Sequence, residues 1–155
     1  MIMEPDKFRR RNITSARGAL NGYQKGRCFY CFSNISITSG DINLAEVDHF
    51  LPHMLMRFFP EINFDGVWNL VLACQHCNRG PAGKFEQIPT LKLLERLHGR
   101  NNFFIDSHHP LRETLIVQTG KKEKDRISFL QNVYNLAITK LINTWEPTLV
   151  RAPRF

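Results

Sequence analysis

Two Cys-x-x-Cys pairs, Cys28/Cys31 and Cys74/Cys77, do most to limit what this chain can fold into. Each pair has the spacing at which a tight turn aims two sulfurs at one ion, and four thiolates suit a closed, tetrahedral zinc. Such a site leaves no position for water, so its role is structural. The 42 residues between the pairs, positions 32–73, must then leave and return to one point, which suits an inserted hairpin. Buried thiols without metal would explain one pair more readily than two. No other cysteine exists among the 155 residues. With neither a disulfide framework nor an apolar leader in Met1–Arg11, the expected setting is reducing and cytoplasmic.

The length fits one domain, residues 1–155, and 43% apolar content with 12 Phe is enough for an ordinary core. No run approaches the roughly 18 to 20 apolar residues of a membrane span. A formal charge of +7 points to a polyanionic partner, because Lys and Arg neutralise phosphate.

The N-terminal arm carries Arg9-Arg10-Arg11 in a row, and Thr14 or Ser15 caps a helix with Ala16, Leu20 and Tyr23 on one face and Gly26 at its end. Short strands are expected at Asn34–Ile37, Asn43–Phe50 and Asn69–Ala73. A helix begins at Cys74–Arg79 and is cut short by Gly80-Pro81. Thr90 caps a helix to about His98, with Gly99 as its stop. Leu111–Gln118 reads as a strand. The clearest helix runs from about Lys121 to Trp145, with Ile127, Leu130, Tyr134, Ala137, Leu141 and Trp145 at spacings of three and four and a second apolar side widening its buried surface.

Between the cysteine pairs lies Asp48-His49. A neutral imidazole takes a proton from water near physiological pH. The adjacent carboxylate points to the opposite face of a regular strand, so both serve one site only where the strand bends, and Pro52 marks such a bend. Asp-His alone is a common surface dipeptide. The pattern around it is less common: Asp48-His49-Phe50-Leu51-Pro52, then Asn69-Leu70-Val71-Leu72-Ala73-Cys74-Gln75-His76-Cys77-Asn78-Arg79, with Lys84 following. This pattern resembles the HNH endonuclease family, the ββα-metal nucleases with a four-cysteine structural zinc, over about Cys28 to Lys84, roughly a third of the chain.

The resemblance implies an α+β fold: a ββα-metal core with a four-cysteine zinc site, residues 1–27 as arm and helix before it, and a helical extension over 85–155 that includes the long C-terminal helix. It implies hydrolysis of DNA phosphodiester bonds, double-stranded DNA being the expected partner. His49 would be the general base that activates water. Asp48 and Asn78 would hold a catalytic Mg²⁺ or Mn²⁺, and Asn69 would brace the hairpin loop that positions the base. Arg79 and Lys84 would grip the flanking phosphate. Where some relatives have a further metal-binding His, this chain has Ala82, so an oxygen-donor site for a hard cation is expected. Met54, Met56, Phe58 and Phe59 are expected to pack on the C-terminal helix. The alternatives are a non-catalytic, zinc-dependent nucleic-acid-binding module and the same chemistry on RNA. The C-terminal helix is expected to be a scaffold, with a homodimer interface or a contact to a larger assembly as the alternatives, and the family suggests a restriction or defence setting.

Overall fold

A pair of short antiparallel strands forms the middle of the molecule, and the computed structural model describes residues 16–153 and 155 around it. The Arg9–Arg11 run and the Thr14/Ser15 cap lie outside the described residues. Strand β1, Glu46–His49, pairs with β2, Leu70–Ala73, in a register that sets Glu46 opposite Ala73 and His49 opposite Leu70. All four β2 residues are buried, as expected of a strand covered on both faces. Ahead of it, α1 (Arg17–Gln24) lays Leu20 and Gln24 inward, four residues apart on one helical face. Gly26, at φ +79°, donates its N–H to Asn21 Oδ1 and turns the chain out of the helix. Gln24 then does a strand's work: its amide donates to Leu72 O at 2.8 Å and accepts from Leu72 N–H at 2.9 Å, satisfying the outer edge of β2.

After β2 comes the one-turn helix α2, Gln75–Arg79, capped by Cys74 and packed on β1. Ile88–Pro89 (β3) pairs in parallel with Thr144–Trp145 (β4). Between these lie α3 (Leu91–Asp106), α4 (Arg112–Thr119) and α5 (Glu123–Ile138), which pack on one another; α3 and α4 also rest on the 3₁₀ turn Val67–Asn69 that leads into β2. The described residues thus form a mixed α+β structure with two small sheets, five helices and a cysteine cluster. None of these helices is long and apolar enough to cross a membrane.

Several sequence expectations need correction. Gly99 does not stop its helix. The roughly 1 kcal/mol penalty of an interior glycine is outweighed because Leu97, Arg100, Asn101, Phe104 and Ile105 continue the same buried stripe. Leu111–Gln118 is not a strand: its β-branched residues suggested one, but Leu115 and Thr119 are buried four apart while Val117 is 85% exposed, the pattern of a helix lying on a surface. The last helix ends at Ile138, and Trp145 belongs to β4, where its indole N–H donates to Ala82 O. It buries a single stripe, Arg126, Leu130, Val133, Tyr134 and Ala137, and leaves Ile127 half exposed. Asn34–Ile37 makes only isolated bridges, through Asn34 and Ser36. In the loop after Pro52, Leu55 is buried and Met56 and Phe59 are partly covered, whereas Phe58 is exposed with the Lys140 ammonium 5.1 Å from its ring centre.

Candidate functional site

The cysteine turns meet because β2 delivers Cys74 beside the first pair. Phe29 N–H donates to Leu72 O at 2.9 Å, tying the first turn to the strand that carries the second. All four Sγ atoms lie within 4.8 Å of one another. Cys31 and Cys74 sulfurs are 3.7 Å apart, against about 3.8 Å for the edge of a tetrahedron with Zn–S bonds near 2.3 Å. Backbone N–H groups of Cys74 and Cys77 point at the sulfurs of Cys28 and Cys74, at 3.3 and 3.4 Å. Hydrogen bonding from neighbouring thiols, that of Cys28 first, pulls Cys31 down to about 6, and hydrogen bonds within the same cluster push Cys28 and Cys77 up, as crowded thiols share their protons unequally. These four cysteines are arranged to bind one metal ion, in a geometry consistent with structural zinc. From α3, Arg96 braces the first turn by donating to Phe29 O and Tyr30 O and laying its guanidinium 4.5 Å from the Phe32 ring centre.

On β1, Glu46 and Asp48 share one face and His49 lies on the other, as strand alternation requires. Asp48 is buried, and its Oδ2 accepts from Tyr30 O–H at 2.6 Å with Lys84 Nζ at 3.3 Å. Burial, and then the Asp48 charge, push the Tyr30 phenol well above its ordinary range, so it stays a donor. Lys84 lies somewhere other than expected. It is 1% exposed and also donates to His49 O at 2.8 Å, so its ammonium neutralises Asp48 and braces the strand end instead of reaching outward for phosphate.

Asn78 approaches the same face of β1 from α2. Its Nδ2 donates to Glu46 Oε1 at 2.8 Å, and Arg79 Nε donates to both Glu46 oxygens, at 3.0 and 2.7 Å. The Arg79 side chain is 61% exposed, so this pair contributes about 0–1 kcal/mol. His49 engages a different group: its Nε2 lies 2.7 Å from Asp65 Oδ1, while His53 Nε2 lies 3.6 Å from the same oxygen. Burial lowers the His49 pKa and the Asp65 hydrogen bond works against that shift, which favours a neutral ring at pH 7. Among the described residues no hydrogen bond joins Asp48, His49 and Asn78 directly; the first and last are linked through the Glu46–Asp48 strand face.

Asn69 is wholly buried. Its Oδ1 accepts from Leu51 N–H at 2.8 Å, and its Nδ2 donates to Leu51 O at 2.8 Å and Phe64 O at 2.9 Å. One amide thus ties both ends of the 50–64 loop to the root of β2. Behind it, the fully buried Arg100 donates to Leu70 O at 2.7 Å, Val67 O at 3.0 Å and Trp68 O at 3.3 Å. Burial pushes that guanidinium down to about 9, so it is still charged at pH 7. Sequence reasoning passed over Glu46, Asp65 and Arg100. Their partners lie 32, 16 and 30 residues away, and only for Glu46 was a signal present: a carboxylate two positions before Asp48, hence on its face.

No protein-family model, no curated protein and no solved structure matches the chain.

Proposed function

We propose that the protein is a metal-dependent endonuclease of the HNH type that hydrolyses DNA phosphodiester bonds, with structural zinc on Cys28, Cys31, Cys74 and Cys77. One observation carries the reading: Asn78 is fastened to Glu46, which shares a strand face with Asp48. Two oxygen donors from segments distant in the chain are thereby held on one side of β1. His49, the last residue of the strand, leaves from its other side, so that the three act on one phosphate only around the strand end. The order β1, β2, α2, with α2 packed on β1, is also the arrangement this chemistry uses.

Asn78 spends its NH₂ on Glu46, and Asp48 spends Oδ2 on Tyr30 and Lys84, while neither Oδ1 has a hydrogen-bond partner among the described residues. Two such oxygens fit a hard cation, Mg²⁺ or Mn²⁺, which when bound stabilises charge on the phosphate and the leaving oxygen. The remaining work falls to side chains. His49, neutral at pH 7, takes the proton of the attacking water. Asn69 holds the loop on which His49 and its neighbours depend. Arg79, at the end of α2, is the exposed cation that grips a flanking phosphate by leaving Glu46.

A second reading, a non-catalytic nucleic-acid-binding zinc module, draws on a specific observation. The buried Lys84 already neutralises Asp48 and so reduces its attraction for a dication. The same active groups acting on RNA are a substrate variant of the first reading. The test is incubation of zinc-loaded protein with supercoiled plasmid, and separately with RNA, in Mg²⁺ or Mn²⁺, beside His49→Ala and an EDTA control. Metal-dependent cutting lost in His49→Ala is the expected result. Zinc-replete protein that binds but cuts neither polymer decides for the module.

A further inference from the structure

We propose that Asp65 is a positioning residue for His49, its carboxylate accepting the ring's Nε2–H and holding the imidazole in the tautomer whose Nδ1 carries the basic lone pair. The role as base rests on the nuclease reading; the tautomer does not. A neutral imidazole has one N–H and one acceptor nitrogen, and its hydrogen-bond partners choose between them. A carboxylate only accepts, so an oxygen 2.7 Å from Nε2 places the proton there. Carboxylates and carbonyls that orient a working imidazole in this way belong to the chemistry of the site as much as the ring does.

The geometry shows that this contact is built. Asp65 lies in a tight turn whose backbone is closed by Gly66 N–H donating to Asn63 O at 3.1 Å. Asp65 N–H donates to Asn63 Oδ1 at 3.1 Å, and the Trp68 indole N–H donates to Asn63 O at 2.9 Å. Gly66 is required: a Cβ there would lie 2.6 Å from Trp68 Cδ1. Asn69 fixes Phe64, the residue before Asp65, and Leu51, two residues after His49, through one side chain. Lys84 holds the His49 carbonyl. Both partners of the Asp65–His49 bond are therefore anchored through their backbones. His53 stands at 3.6 Å from the same oxygen, too far for a good hydrogen bond, so His49 takes it.

The test is ¹⁵N NMR of the histidine rings in zinc-loaded protein at neutral pH, with the His49 signals assigned by their loss in His49→Gln. The expected wild-type spectrum shows His49 protonated on Nε2 with a slowly exchanging, downfield Hε2 signal held by the carboxylate. Asp65→Ala should lose that signal and relax the ring to the tautomer mixture of free histidine, and Asp65→Asn, whose amide oxygen still accepts, should keep it. A wild-type ring protonated on Nδ1 overturns the proposal without any variant, and so does an Hε2 signal that persists unchanged in Asp65→Ala that still holds its zinc. In plasmid cleavage, Asp65→Ala should lower kcat by on the order of tenfold or more with KM little changed, and Asp65→Asn should recover part of it. If wild-type protein cuts nothing, the nuclease reading falls, and the tautomer measurement still decides the role of Asp65.

Discussion

Replacing Asn69 by alanine should be among the most damaging single changes in this protein. The side chain is wholly buried and its three hydrogen bonds go to backbone groups of Leu51 and Phe64, two residues that are themselves fully covered. Alanine would leave one N–H and two carbonyls without a partner, and each such group costs about 1–3 kcal/mol when water cannot reach it. Partial relaxation, and water entering the vacated space, bring the expected loss to about 3–5 kcal/mol, a large part of the 5–15 kcal/mol typical of a domain. The assay is urea denaturation followed by tryptophan fluorescence at fixed free zinc, with the slope checked against wild type. Asn69→Asp sharpens the test. One carboxylate oxygen would accept from Leu51 N–H, but the other would face two carbonyl oxygens, which raises the folded-state pKa above an unfolded value of about 3.9. A group raised in this way contributes stability below its unfolded pKa and loses it as pH rises through the folded pKa. The aspartate variant should therefore approach wild type near pH 4 and fall behind it toward pH 7. A loss below about 1 kcal/mol for alanine, or a pH-independent gap for aspartate, would refute the reasoning.

Zinc removal should unfold the region that joins Cys28–Cys31 to β2. At a free ion concentration of about a thousand times Kd the ion contributes about 4 kcal/mol, so chelation should lower Tm by roughly 8–16 °C, read by calorimetry with one zinc per chain measured beforehand. Arg100→Met should cost about 2–4 kcal/mol, because the carbonyls of Val67, Trp68 and Leu70 lose a charged donor in the interior. Arg79→Ala, which removes an exposed pair, should cost less than about 1 kcal/mol in the same denaturation series.

The metal-binding corner was legible because its information is local. A Cys-x-x-Cys turn aims two sulfurs by itself, and two such turns need only one ion between them; what the fold adds is the hydrogen bond from Phe29 N–H to Leu72 O that sets the first turn beside Cys74. The mixture of short strands and helices was legible for the same reason. Leu111–Gln118 was not, because its β-branched residues prefer strands in isolation, and the helix exists only through the face it lays against α3, α5 and the Val67–Asn69 turn. The end of α5 was hidden too. Apolar spacing continues past Ile138, yet Trp145 is needed beside Pro89 and Ala82.

The amino-acid order by itself decided which atoms could hold a metal, that a carboxylate and an imidazole would sit next to each other, and that they would point to opposite sides of a strand. Folding decided what each of them touches. Lys84 is drawn inward because Asp48 is buried and a buried carboxylate needs a counter-charge. His49 acquires Asp65 because Asn69 ties together two backbone segments that are distant in the chain. Covalent sequence sets chemistry over a few residues, whereas partners 16 to 35 residues apart are chosen by which hydrogen bonds remain to be satisfied once the core has closed.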